Sequence, residues 1–113
     1  MSTKDLSRTY IHIVDDDQVN LDLWATLLTK AGYSVHTLED GTAAFDAALT
    51  EMPDLIMLDI MMPHTSGYEI CKKLKADPRT QDIPVIFLSA LSSANDKVKA
   101  FSIGAVDYIS KPF

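Results

Sequence analysis

Leu55-Ile56-Met57-Leu58-Asp59-Ile60-Met61-Met62-Pro63 opens with an unbroken apolar run and then breaks at a carboxylate. A short apolar run bounded by a turn signal is the mark of a strand buried on both faces. Working outward, the same pattern recurs at Ile11 to Val14, Ser34 to Leu38 and Val85 to Leu88, with a weaker run at Val106 to Ile109.

The stretches between these runs have helical spacing instead. Leu21, Trp24 and Leu28 recur at i, i+3 and i+7, and Ala44 with Ala48 and Phe45 with Leu49 form i, i+4 pairs. Ile70 pairs with Leu74 in the same way, and Ala94, Val98 and Phe101 mark a last helix. Gly32 and Gly104 stand where helices should stop. Ser66 with Glu69 and Ser93 with Asp96 have capping-box spacing, and Asp40 is placed to cap the second helix. Pro84 sits just ahead of a strand, where its missing N–H does little harm. The chain therefore reads as strictly alternating strands and helices. That order implies an α/β fold: a parallel sheet with right-handed crossovers and helices on both faces.

Open parallel sheets bind ligands beyond the carboxyl ends of their strands. Four of the five runs are followed by candidate site residues. Asp15, Asp16 and Asp17 follow Val14, Asp59 follows Leu58, Ser89 follows Leu88, and Ser110, Lys111 and Pro112 follow Ile109. Three carboxylates at one rim must take up protons or bind a cation. Oxygen-only donors suit Mg²⁺ or Mn²⁺. Lys111 adds a fixed positive charge, so that a carboxylate between it and the metal can attack phosphorus and form an acyl phosphate. Ser89 offers a hydroxyl to a phosphoryl oxygen. Each residue alone has a blander reading: the acids as caps for the first helix, the serine as a turn former, the lysine as a surface charge. It is their joint placement that argues for a site. His12, His36 and His64 lie in unrelated segments and read as plain strand or loop residues, so no zinc cluster is expected.

The chain's 113 residues are enough for one domain, and a 47% hydrophobic content can build a core. Residues 1–9 read as a loose lead-in and 10–113 as the domain. Asp and Glu outnumber Lys and Arg 16 to 10, for a formal net charge of −6, which argues against a nucleic-acid surface. Cys71 is the only cysteine and reads as a small core filler. No apolar run approaches the length of a membrane span, and the start of the chain is polar; a cytoplasmic domain is expected.

Several of these segments match a known family. Ile13-Val14-Asp15-Asp16-Asp17 resembles the acidic opening of bacterial response-regulator receiver domains. Asp59-Ile60-Met61-Met62-Pro63 with Gly67 resembles their phosphoacceptor loop, and Ser89-Ala90 their switch position. Gly104-Ala105-Val106-Asp107-Tyr108-Ile109-Ser110-Lys111-Pro112-Phe113 resembles their closing motif. The resemblance implies a flavodoxin-like, doubly wound, five-stranded sheet of order 2-1-3-4-5. It implies phosphorylation of Asp59 by a sensor histidine kinase or a histidine phosphotransfer protein. Asp16, Asp59 and the Met61 carbonyl would hold Mg²⁺, with Asp15 acting through a water. Ser89 and Lys111 would contact the phosphoryl group, Tyr108 would be the aromatic switch, and the Lys111–Pro112 bond would be cis. For Tyr108 an ordinary half-buried strand aromatic is the competing reading.

Receivers usually carry a fifth helix after the closing motif, and this chain stops at Phe113. A truncated domain is therefore expected, with an open face that invites a homodimer or other self-association. Two other classes compete. A haloacid-dehalogenase-like phosphohydrolase would need an acid at position 61, where Met61 stands. A flavodoxin-like cofactor module would need a Gly-, Ser- or Thr-rich loop after the first strand, where the triple Asp would repel a phosphate. Neither reading fits as well as a receiver, which accepts a phosphoryl group and loses it slowly without being a turnover enzyme.

Overall fold

The apolar runs form strands. The computed structural model describes residues 9–89, 99 and 101–110. In chain order the elements are β1 (Tyr10–Val14), α1 (Gln18–Lys30), β2 (Ser34–Leu38), a 3-10 turn (Gly41–Ala43), α2 (Ala44–Glu51), β3 (Leu55–Asp59), β4 (Met61–Met62), β5 (Thr65–Ser66), α3 (Gly67–Ala76), β6 (Val85–Ser89) and β7 (Asp107–Ser110). Residues 101–103 are also helical. Ala94, Val98 and the Ser93–Asp96 capping pair lie outside the described residues.

β2, β1, β3, β6 and β7 form one sheet in that order, and every neighbouring pair is parallel. Successive side chains of a strand point to opposite faces, so each strand feeds two cores. On one face Ile11, Ile13, Met57 and Leu88 pack with Leu21 of α1, and Trp24 and Leu28 close over them. On the other, Val14, Ile56, Leu58, Val85 and Phe87 pack with Ala44 and Ala48 of α2 and with Ile70, Cys71 and Leu74 of α3. Cys71 is a free, buried thiol whose pKa is pushed up by burial, which fits an inert core filler.

Several boundaries differ from the sequence reading. β3 and β6 run one residue past their apolar runs, because Asp59 pairs with Leu88 and Ser89 with Ser110 in the ladder. Asp59 and Ser89 thus end strands rather than follow them. β7 begins at Asp107, one residue late, with the exposed Val106 donating its N–H to the Val85 carbonyl at 2.9 Å. Asp40 caps the 3-10 turn through the Thr42 N–H at 2.9 Å, while α2 itself starts without a side-chain cap. Ser66 does cap α3, accepting from the Glu69 N–H at 3.3 Å. Gly32 and Gly104 take positive φ angles of 102° and 114°, which other residues adopt only under strain. Unforeseen is the antiparallel pair β4–β5, turned at His64 with φ 67°. Strands of two residues carry no periodicity to read.

Candidate functional site

β1 and β3 lie side by side, with Val14 opposite Leu58. The next residues of each, Asp15 and Asp59, therefore reach the same rim, and both are buried. Asp16 is exposed beside them. One oxygen from each of Asp15, Asp16 and Asp59 lies within 4.8 Å of the other two. Such a cluster has all-oxygen, all-anionic donors, which match a hard divalent cation such as Mg²⁺.

The triple Asp divides its work. Asp15 is held by accepting from the Asp17 N–H at 2.9 Å through one oxygen and from the Asn20 amide at 3.2 Å through the other. Asp17 turns to the helix instead and caps α1, accepting from the Val19 N–H at 2.9 Å. The helix-cap reading is thus right for one of the three acids. Asn20 was not singled out from sequence; its place one turn into α1 was the only signal available.

The loop after Asp59 is pinned at both ends. The Ile60 N–H donates to the Leu88 carbonyl at 3.2 Å, and the Gly67 N–H donates to the Ile60 carbonyl at 2.8 Å. Gly67 is pressed so closely on the loop that a Cβ there would lie 2.3 Å from the Asp59 carbonyl oxygen. That contact explains physically why a glycine stands at this position of the motif. Met61 projects from β4 and is 63% exposed. Ser89 ends β6 one residue beyond Leu88, the partner of Asp59, so its backbone belongs to the same rim. Tyr108 pairs with Phe87 in the β6–β7 ladder. The side chains of Ser89 and Tyr108, and all of Lys111 and Pro112, lie outside the described residues.

A family model for the response regulator receiver domain matches residues 11–113. The chain belongs to this family. It is a receiver of two-component signal transduction. The receiver is 46% identical over 103 residues to the DNA-binding dual master transcriptional regulator RpaA of Synechocystis, a match covering 91% of this chain and 43% of that protein. It is 41% identical over 102 residues to the response regulator PleD of Caulobacter vibrioides, covering 90% of this chain and 22% of PleD. The chain thus spans less than half the length of these curated relatives. In structure it matches a response regulator from Chloroflexus aurantiacus with a TM-score of 0.87 at 32% identity, over 93% of this chain and 86% of that one. Among the described residues no helix is long and apolar enough to cross a membrane.

One expectation is overturned. His12 and His36 are not in unrelated surroundings: the β1–β2 ladder places them directly opposite each other, and Glu51 at the end of α2 joins them. Each histidine is the third residue of its strand, so the in-register pairing of β1 with β2 was the missing information. His64 stays apart at the β4–β5 turn.

Proposed function

We propose that Asp59 accepts a phosphoryl group from a sensor histidine kinase or a histidine phosphotransfer protein. The observation that supports this best is the approach of Asp15, Asp16 and Asp59 to within 4.8 Å at the carboxyl rim of the sheet. Mg²⁺, with Mn²⁺ as a substitute, is the ion that these oxygens suit; when bound, it offsets negative charge on the phosphoryl oxygens. Asp16, Asp59 and the Met61 carbonyl are its direct ligands in this reading, with Asp15 acting through a water. An Asp15 already held by Asp17 and Asn20 fits an orienting role.

The Asp59 carboxylate oxygen attacks phosphorus, the bond from phosphorus to the donor imidazole nitrogen breaks, and an acyl phosphate forms on Asp59. Ser89 donates to one phosphoryl oxygen, and the Lys111 ammonium pairs with another. Tyr108 turns inward as Ser89 moves, which shifts a two-state equilibrium at the output surface. The Lys111–Pro112 peptide bond is cis in this reading. Met61, bulky and apolar, slows attack by water on the acyl phosphate. The domain is a phosphoacceptor that assists its own phosphorylation rather than a turnover enzyme. It spans residues 10–113 after a lead-in of residues 1–9 and works in the cytoplasm. With a formal net charge of −6 it does not bind nucleic acid by itself.

Self-association is a further part of this reading. Val19, Leu23 and Leu27 of α1 are exposed in one i, i+4 stripe, the kind of surface that a second copy can cover. For the central claim, incubation with acetyl phosphate and Mg²⁺ followed by intact-mass measurement should add one phosphoryl group to the wild type. Asp59→Asn should gain none. An equal gain in both chains would move the acceptor elsewhere.

A further inference from the structure

His12, His36 and Glu51 meet on the sheet face that carries α2. The Glu51 Oε1 atom lies 2.8 Å from His12 Nε2 and 2.6 Å from His36 Nδ1. His12 is only 1% exposed, whereas the side chains of His36 and Glu51 are 41% and 33% exposed. A buried donor sits inside and two accessible donors sit at the mouth. His36 and Glu51 also line a surface groove of about 360 Å³ with Ala43, Asp46, Ala47 and Thr50, which gives an ion a path from solvent.

The buried histidine points to a ligand. His12 Nε2 lies against the Glu51 carboxylate but makes no aligned hydrogen bond to it. A buried imidazole nitrogen held against a carboxylate oxygen is satisfied by a well-aligned proton or by a cation shared between the two.

We propose that His12 Nε2, His36 Nδ1 and a Glu51 carboxylate oxygen form a second metal site, for a borderline divalent transition ion of the Zn²⁺ kind. Two imidazoles and one carboxylate are the donor set of an open zinc site, with the fourth position left to water. Nitrogen donors also separate this site from the all-oxygen rim, since imidazole prefers zinc-like ions to Mg²⁺. The two sites stand on the same strand, with His12 three residues before Asp15, about 10 Å along β1.

Zinc–ligand bonds of about 2.0–2.1 Å set tetrahedral donor separations near about 3.3 Å. The present separations of 2.6 and 2.8 Å must therefore open slightly. Glu51, at the exposed end of α2, is the group free to move. It is already oriented from outside the cluster, because it accepts a hydrogen bond from the Tyr10 hydroxyl. Tyr10 thereby acts as the outer partner that zinc carboxylates commonly have. A bound ion would tie β1, β2 and α2 together.

The test is a calorimetric titration of the chelator-stripped chain with Zn²⁺ in excess Mg²⁺, so that the acidic rim is already filled. Uptake of one equivalent is expected. Loss of an outer partner costs about 10–100-fold in metal affinity, so His36→Ala and Glu51→Gln, each removing a direct ligand, should weaken binding at least about tenfold. His64→Ala should bind like the wild type. In the wild type itself, the imidazole nitrogen resonances of His12 and His36 should move on Zn²⁺ addition while those of His64 stay. No uptake in excess Mg²⁺, unchanged affinity in both ligand variants, or still resonances for His12 and His36 would each overturn the assignment. None of these outcomes would touch the phosphorylation of Asp59.

Discussion

At the scale of the residue, the sharpest constraint is one missing carbon. Gly67 has no side chain, so the first turn of α3 can approach the backbone of Asp59 and Ile60. Adding a methyl group would put it 2.3 Å from the Asp59 carbonyl oxygen and 2.9 Å from the Ile60 Cα. Both obstacles are backbone, so neither can swing aside. Over-packing of this sort costs about 1–3 kcal/mol, and here the relief must come from moving the loop that carries Asp59. Gly67→Ala is therefore expected to lower stability by about that amount in chemical denaturation. It should also slow phosphorylation by acetyl phosphate more than its stability loss explains. A variant as stable and as readily phosphorylated as the wild type would show that the loop yields easily.

At the scale of the element, the acids after β1 separate a structural role from a chemical one. Asp17 caps α1, while Asp15 and Asp16 join Asp59. Removing an N-cap side chain costs about 1 kcal/mol. Asp17→Ala should lower the melting temperature by about 4–8 °C, yet it should still be phosphorylated. Loss of phosphorylation in a folded Asp17→Ala would mean that this acid belongs to the site. From spacing alone the three acids were indistinguishable, because which one caps depends on where the helix begins; only the family resemblance set Asp15 and Asp16 apart. The same limit explains the other misses. Asp40 was legible as a cap, but a 3-10 turn in front of α2 has no period of its own. β4 and β5 are too short to show alternation. The long strands were legible because β1 and β3 are buried along most of their length, which demands an unbroken apolar run. Asp15 and Asp59 were legible because they follow two separate buried runs together with the polar residues after the other strands, although each acid alone reads as a cap or loop residue. The meeting of His12 with His36 was not, since it depends on strand order and register, and the sequence of either strand alone is silent on both.

At the scale of the whole molecule, the sheet holds like charges together and the two cores resist their separation. Asp15 and Asp59 are carried on neighbouring strands whose inner residues are fully packed. The rim therefore cannot open to relieve repulsion without breaking the β1–β3 ladder. The chain carries a surplus of acid as well, with 16 acidic residues against 10 basic ones. Part of the folding free energy is thus spent on proximity of carboxylates, and a cation at the rim recovers it. Anything that binds the folded state alone raises stability by mass action, so Mg²⁺ should raise the melting temperature of the wild type in a concentration-dependent way. Asp16→Asn removes one charge at the exposed side of the cluster without disturbing a core residue. In chelator it should melt higher than the wild type, because two carboxylates repel less than three. In Mg²⁺ the order should narrow or reverse, because a direct ligand has been lost. Thermal melts of both chains in chelator and in Mg²⁺ provide the check. If Asp16→Asn gains as much from Mg²⁺ as the wild type does, Asp16 is not a ligand and the rim holds its cation in some other way.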